Sequence, residues 1–251
     1  MILDSIKILF HQGKQFIDDP TKVEVPGIFR GRPVISTASV DNEALKGCCP
    51  LGAISIDAEG KASLDMGKCA FCGLCAKKFP EKITFTKDYK IASAKRENLI
   101  IHEGVDAPVD FGNEAVNPVI KKTFGKSLKL RQVSAGGDNS CEWELGATGN
   151  VNFDMGRYGI EFVASPRHAD GVVITGPVSK NMARALEICY DAIPEPKIIV
   201  LAGVDAISGG VFEGSEDLDR SFIETHHIDL YIPGNPTHPL TIINALLNLR
   251  G

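Results

Sequence analysis

The chain has 251 residues, which is enough for one or two domains of ordinary size. Its 43% hydrophobic and 24% charged residues are usual for a globular protein, and its 25 glycines and 14 prolines are spread along the chain, which excludes a collagen-like or low-complexity protein. The formal net charge is −5 and no block of basic residues occurs, which argues against nucleic acid as a partner.

The N-terminal segment carries no pattern typical of export. Asp4 lies near its start and no small-residue cleavage site follows, so the sequence does not predict a signal peptide. No segment approaches the ~18 apolar residues that a membrane-spanning helix requires. We therefore expect a cytoplasmic protein, and a peripheral association with the cytoplasmic membrane face through a larger complex stays open.

The hydrophobic pattern divides the chain into residues 1–95, a connector at 96–126 and a second domain at 127–251. In the first part, residues 53–57 and 82–86 alternate apolar and polar side chains, as half-buried strands do. In the second, strand-like runs at 171–175, 197–201 and 228–232 alternate with helical patterns at 179–193 and 239–249. Alternating strands and helices predict a parallel α/β sheet.

Both helical patterns carry local signals of their own. Ser179 suits the N-cap of the first helix, and Pro239 suits the first turn of the second. Apolar residues recur at steps of four, three and four along the first pattern, which predicts one buried helical face: Met182, Leu186, Cys189 and Ile193. Cys189 is therefore expected to be a core residue.

The seven cysteines are clustered, since five of them fall between Cys48 and Cys75. Without an export signal, such clustering favours metal binding in a reducing compartment over disulfides. Cys69, Cys72 and Cys75 nearly match the bacterial ferredoxin run C-x2-C-x2-C-x3-C-P, except that Phe79 replaces the fourth cysteine. The upstream Cys49-Pro50 resembles the end of a second such run.

In two-cluster ferredoxins the fourth cysteine of each run binds the other cluster. By that rule, one [4Fe–4S] cluster is held by Cys49, Cys69, Cys72 and Cys75, which are all present. The other cluster would need thiols at four positions that hold none: Ser39, Asn42, Leu45 and Phe79. The pattern therefore predicts a ferredoxin-like α+β domain that keeps one cluster. We expect the side chains at positions 39, 42, 45 and 79 to fill the space of the other cluster, with the apolar Leu45 and Phe79 buried there.

Two alternatives stay open at this centre. Four cysteines also suit a tetrahedral zinc ion, although paired x2 spacings with a remote Cys-Pro are more typical of an iron–sulfur cluster. Cys48 is adjacent to Cys49 and competes with it as a ligand, while the Cys-Pro spacing favours Cys49.

The second domain carries a series of motifs in a characteristic order. They are SLKLRQV at 127–133, EWEL at 142–145, FDMGRYGI at 153–160, FVASPRHAD at 162–170, VITGPVSKNM at 173–182, GVDAISGG at 203–210 and IPGNP at 232–236. In order and spacing this domain resembles the small subunit of energy-converting [NiFe] hydrogenases and formate hydrogenlyase, and the homologous 20 kDa subunit of complex I. The first part is similar to the ferredoxin-like subunit of the same complexes, so the chain resembles a fusion of two neighbouring subunits.

The resemblance implies a flavodoxin-like parallel-sheet domain and a proximal [4Fe–4S] cluster, yet the ligand positions depart from the family. The four positions that hold cysteine in the family read Asp138, Cys141, Asp205 and Asn235 here. Carboxylate and amide oxygens are hard donors and poor substitutes for thiolate on an iron–sulfur cluster. We therefore expect that this cluster is lost and that a polar pocket replaces it, a bound cation being the less favoured alternative.

Three functions follow as hypotheses. The favoured one is an electron-transfer subunit with one [4Fe–4S] cluster in a hydrogenase-like or complex I-like oxidoreductase, with the large subunit or other subunits of that assembly as partners. The alternative is a structural or docking subunit in which the cluster only stabilises the small domain. A catalytic hydrogenase is the weakest, because the family places nickel in the large subunit. We expect no catalytic residue in this chain.

Overall fold

The computed structural model describes residues 2–13 and 15–251. Helix α1 spans Ile2–Gln12 and buries none of its side chains. The elements that follow it in the first part of the chain are short: β1 (Pro33–Ile35), α2 (Asn42–Gly47), β2 (Ile54–Ile56), β3 (Ala62–Asp65), α3 (Leu74–Lys78), β4 (Ile83–Phe85) and β5 (Ile100–His102).

These strands form two small antiparallel sheets. One pairs β1 with β4, and the other has the order β2-β3-β5. Leu64 lies opposite Ile54 on one side and Ile101 on the other, and all three side chains are buried in one core. Strand β5 falls within residues 96–126, so this predicted connector supplies a strand of the first sheet as well as helix α4 (Pro118–Phe124).

The second part is a five-stranded parallel sheet with helices between its strands. Its elements are β6 (Leu128–Ser134), α5 (Ser140–Ala147), β7 (Ile160–Phe162), β8 (Gly171–Thr175), α6 (Lys180–Asp191), β9 (Ile198–Ala202), α7 (Val204–Ser208), α8 (Ser221–Thr225), β10 (Leu230–Ile232) and α9 (Pro239–Arg250). The strand order β7-β6-β8-β9-β10 is that of flavodoxin-like folds. The predicted parallel α/β domain is therefore confirmed.

Burial explains why these segments take this arrangement. Every residue of β8 and β9 is buried. Helices cover both faces of the sheet there, and strands in that environment consist mainly of Val, Ile and Leu. The predicted helical face of α6 turns inward, with Leu186 buried and Met182 and Cys189 packed against the same core. Ile193, two residues beyond the end of the helix, is buried as well. The thiol of Cys189 thus lies against the core, as the pattern predicts.

The first part contacts the carboxyl end of the second through several segments. Ser93 and Tyr231 exchange two backbone hydrogen bonds of 3.1 and 2.9 Å, which adds an antiparallel bridge beside β10. The Lys68 ammonium forms a 2.5 Å ion pair with Glu213 across the same junction. None of the helices in the described ranges has the length and apolar character that a membrane span requires.

Candidate metal centre

Five cysteines line one cavity in the first part of the chain. Cys48 and Cys49 follow helix α2, Cys69 and Cys72 lie in the loop after β3, and Cys75 lies in α3. Cys48, Cys69 and Cys75 are buried, Cys49 is half-buried, and Cys72 is exposed. The structure therefore brings Cys49 to the three cysteines of the C-x2-C-x2-C run, as the ferredoxin pattern requires.

The loop between Cys69 and Cys75 winds around this cavity because two residues adopt left-handed backbone conformations. Phe71 has a φ of 52° and Gly73 a φ of 76°. The winding turns the Phe71 amide toward sulfur, and Phe71 N donates to Cys69 Sγ at 3.3 Å. In the segment that carries Cys49, Ala53 N donates to Cys49 Sγ at 3.3 Å. Such bonds to sulfur stabilise thiolates and tune the potential of iron–sulfur clusters.

Burial makes the metal-free thiols weak acids. The pKa of Cys69 is raised to about 12 and that of Cys75 to about 11, mainly by burial. Backbone hydrogen bonds oppose this shift, and the charges of the neighbouring cysteines add to it. Buried thiolates therefore need a cation to compensate their charge. Soft thiolate donors with amide support fit the iron of a [4Fe–4S] cluster.

The arrangement differs from that of a preformed site for one ion. No group of three or more His, Cys, Asp or Glu side chains in residues 2–13 and 15–251 converges on a point that a metal ion would occupy. The four thiols instead surround a cavity and influence one another's pKa. Cys48 lines the same cavity, but the backbone bond from Ala53 goes to Cys49.

The four positions that the ferredoxin pattern assigns to a second cluster are only partly filled by apolar packing. Leu45 is fully buried and Phe79 packs against the same core, in agreement with the sequence prediction. The other two positions do not pack in this way. Asn42 Nδ2 donates a hydrogen bond to the Gly60 carbonyl oxygen at 2.9 Å, and Ser39 is exposed. A buried Lys82 ammonium, held at 2.8 Å by both the Ala38 carbonyl and Glu103, lies next to these residues.

Two of these positions give a matched test of packing. We expect Leu45→Ala to lower the free energy of unfolding by about 2–5 kcal/mol, because it opens a cavity in a closed core. Ser39→Ala, at an exposed position, should change it by less than about 0.5 kcal/mol. Denaturant unfolding of both variants, handled anaerobically, measures this difference, and a Leu45→Ala loss below about 1 kcal/mol would contradict the packing role.

The four residues that the resemblance assigns to a former cluster site lie at the carboxyl edge of the parallel sheet. Asp138 and Cys141 follow β6, Asp205 follows β9, and Asn235 follows β10. Burial raises the pKa of Asp205, and the charges of Asp138 and Glu142 raise it further. Burial also raises the pKa of Cys141 to about 11, while hydrogen bonding from Thr237 opposes that shift. The three loops are therefore close enough for their side chains to interact.

Local contacts hold this edge in place. A Cβ at Gly203 would lie 2.4 Å from Cys141 Sγ, so only glycine leaves room for the buried thiol. Asp138 Oδ1 accepts hydrogen bonds from the backbone N and the Oγ of Ser140, at 2.9 and 2.6 Å, and these bonds lower the pKa of Asp138. Asp138 thus secures the start of α5.

Sequence reasoning missed Glu142, which lies one residue after Cys141. This carboxylate is buried and accepts hydrogen bonds from Ser134 Oγ at 2.5 Å and from Thr175 Oγ1 at 2.7 Å. Its position in the first turn of a helix that follows a buried strand was a usable signal.

A second cavity, of about 500 Å³, separates the cysteine centre from this edge, with Cys72 on one side and Asn235 on the other. Arg30 lines it, and its Nε donates to the Phe71 carbonyl at 2.6 Å. His238 lines it too. Its Nδ1 accepts from Leu240 N at 3.2 Å, so a neutral imidazole carries its proton on Nε2, and burial lowers the pKa of His238.

Comparison with known proteins identifies the second half of the chain. The family described as NADH ubiquinone oxidoreductase, 20 Kd subunit, matches residues 139–249. The probable membrane-bound hydrogenase subunit mbhJ of Pyrococcus furiosus is 31% identical over 126 residues, which cover 50% of this chain and 75% of that protein. The chain belongs to this family, and the predicted resemblance of the second domain is confirmed.

Two further relatives were found. An NADH-quinone oxidoreductase subunit of Citrifermentans bemidjiense is 41% identical over 110 residues, which cover 44% of this chain and 64% of that protein. A chain of the membrane-bound sulfane sulfur reductase, an archaeal respiratory membrane complex, aligns with a TM-score of 0.46 and 25% identity over 53% of this chain and 74% of its own length. The present chain thus spans less than two thirds of the first of these relatives.

Proposed function

We propose that the chain is an electron-transfer subunit of a complex I-like or hydrogenase-like oxidoreductase, with one [4Fe–4S] cluster and no catalytic residue of its own. The observation that supports this most is the cavity lined by Cys49, Cys69, Cys72 and Cys75. When bound, a [4Fe–4S] cluster takes up and releases one electron at a time. The relatives are subunits named for oxidoreductases, which supports the assembly but leaves its reaction a proposal.

The residues around the cavity have separate roles in this proposal. The four thiolates hold the cluster, and the amides of Phe71 and Ala53 stabilise the sulfur charge at Cys69 and Cys49. Cys72 is the exposed ligand and gives a partner access to the centre. The degenerate edge at Asp138, Cys141, Asp205 and Asn235 binds no cluster and presents a polar docking surface.

The partners in this proposal are the large-subunit-like and other protein subunits of such an assembly. The chain would work on the cytoplasmic side and reach the membrane only through those subunits. One observation supports an alternative function, in which the chain is a docking subunit without redox activity. This observation is the cavity of about 500 Å³ between Cys72 and the degenerate edge, which could receive a side chain of a partner. Reversible one-electron reduction of the purified protein separates the two functions.

Iron and sulfide content tests the centre itself. We expect about four irons and four acid-labile sulfides per chain after anaerobic purification, because the chain offers thiols for one cube. Metal analysis by mass spectrometry with a sulfide assay measures both. Stoichiometric zinc without sulfide would replace the cluster with the tetrahedral site that stayed open, and about eight irons would show that the degenerate edge also binds a cluster.

A further inference from the structure

The cavity of about 500 Å³ beside Cys72, which we call the junction cavity, lies where the two parts of the chain meet. Residues of three segments line it: 26–30, 70–72 and 233–241. We infer that the junction cavity binds a small aromatic carboxylic acid in its anionic form. Small-molecule sites commonly lie between domains and have volumes of about 300–1,000 Å³, so the size and place of this cavity suit such a ligand.

The strongest observation is a buried hydroxyl that faces the cavity without a partner. Thr241 lines the cavity and is 1% exposed, yet its hydroxyl makes no hydrogen bond with a residue in 2–13 or 15–251. A buried hydroxyl without a partner costs free energy, which a ligand recovers if it accepts the hydrogen bond. Thr241 therefore favours a ligand with an acceptor atom at this wall.

Two further donors in the same wall are free for a ligand. The Nε of Arg30 donates to the Phe71 carbonyl oxygen at 2.6 Å, which leaves both terminal nitrogens of the guanidinium without a partner among the described residues. The Nδ1 of His238 accepts from Leu240 N at 3.2 Å, which leaves the Nε2 hydrogen as its remaining donor. The cavity thus offers donors from both parts of the chain.

The charges of the wall select a single negative charge. Burial lowers the pKa of His238 and so favours its neutral form, which leaves Arg30 as the cation. His238 and Thr241 lie at the start of the 12-residue helix α9, whose N-terminus adds a partial positive charge. Burial also raises the pKa of Glu144 in the same wall, which favours a protonated carboxyl over a second anion. One carboxylate matches this balance, whereas a doubly charged phosphate exceeds it.

The rest of the wall suits an aromatic body. Phe29 and Phe71 line the cavity, and the Phe29 ring meets the His238 imidazole edge-on at a centroid distance of 5.2 Å. Flat ligand rings pack well against such aromatic faces and edges. Ile28, also in the wall, is 88% exposed, so the apolar surface extends to solvent and a ligand can enter from there.

The test begins with two probes of the same shape. They are 2-naphthoate and its neutral counterpart 2-naphthamide, each titrated calorimetrically into anaerobically purified protein. We expect naphthoate to bind with a Kd below about 1 mM, and naphthamide to bind at least about 10-fold more weakly, because charge-assisted hydrogen bonds are the stronger ones. Equal affinity for the two probes, or no naphthoate binding at 10 times that concentration, would overturn the inference.

Three variants locate the site. Arg30→Gln should weaken naphthoate binding about 10-fold or more and naphthamide binding about 3-fold or less, because only the bonds to a charged ligand lose their charge assistance. Thr241→Val removes the hydroxyl at nearly constant shape and should weaken naphthoate binding about 3- to 10-fold. Arg184→Gln removes the same charge from an exposed ion pair on α6 and should change neither Kd by more than about 2-fold.

Iron content and circular dichroism confirm that the variants are folded. Loss of both probes by Arg30→Gln would indicate a collapsed cavity and overturn the role of Arg30, and Thr241→Val, which leaves the Cys69–Cys75 loop untouched, then decides the inference alone. An N-acetylated tripeptide ending in Phe is the third probe. If it binds and naphthoate does not, the cavity captures the chain terminus of a partner and the inference falls. No measurement here depends on electron transfer, so its failure leaves the proposed function as it stands.

Discussion

Cys69→Ser is expected to remove the brown chromophore and the bound iron, from about four irons per chain to near zero. Cys69 is buried at the base of the cavity, and its sulfur accepts the Phe71 amide. A serine oxygen is a harder donor, and its hydroxyl does not ionise near neutral pH. The iron that Cys69 would bind therefore loses its protein ligand. Visible absorption and iron analysis of anaerobically purified protein measure the loss.

Cys189→Ser is the matched control, because Cys189 is also partly buried but lies on α6 away from the cysteine cavity. We expect its iron content to equal that of the parent. The ligand assignment would fail if Cys69→Ser kept its four irons while folded. A parallel Cys48→Ser and Cys49→Ser pair decides which neighbour is the remote ligand, since only the true ligand should lower iron content.

The fold of the second domain could be predicted from the sequence because its strands are buried on both faces. Runs such as residues 171–175 and 197–201 have no polar alternation, and amphipathic helices follow them, so the parallel sheet and the meeting of its loops could be expected. Pro239 also lies in the first turn of α9, as predicted. Ser179 is the N-cap residue of α6, as predicted, although its side chain makes no capping hydrogen bond to the helix.

The fold of the first part was harder to predict from the sequence because its strands have only three or four residues. Strand β5 pairs with β3 across a long intervening stretch of chain, and no local pattern in residues 96–126 signals that partner. The bridge between Ser93 and Tyr231 likewise depends on how the two halves meet. Its ferredoxin-like class and the division at residues 1–95, 96–126 and 127–251 stay predictions. The cavity beside Cys72 depends on that junction too, which is why Arg30 and His238 were missed.

The cysteine spacing, in contrast, carried information about distant contacts. The cross-ligation rule joined Cys49 to a run that starts 20 residues later, and the structure places these thiols around one cavity. The rule said less about the four positions without thiols, because residues that bind no metal are free to diverge. Leu45 turned inward, whereas Ser39 became a surface residue.

Introducing three cysteines should create a cluster site at the carboxyl edge of the parallel sheet. In Asp138→Cys, Asp205→Cys and Asn235→Cys combined, we expect iron to rise from about four to about eight per chain after reconstitution. The fourth thiol, Cys141, is already in place over Gly203, and the loops after β6, β9 and β10 still meet. The variant loses the hydrogen bond that the Ser140 backbone N donates to the Asp138 carboxylate, which costs about 1 kcal/mol.

The same three positions changed to serine provide the control. The serine variant loses the same carboxylates and the same amide, so it reproduces the structural cost without supplying thiolates, and its iron should stay at about four. A folded cysteine variant that also stays at four would show that the loops have moved too far apart to hold a cube. A parent that already binds eight would show that Asp138 and Asp205 are ligands, because hard oxygen donors would then complete a cluster with only Cys141 as a thiolate.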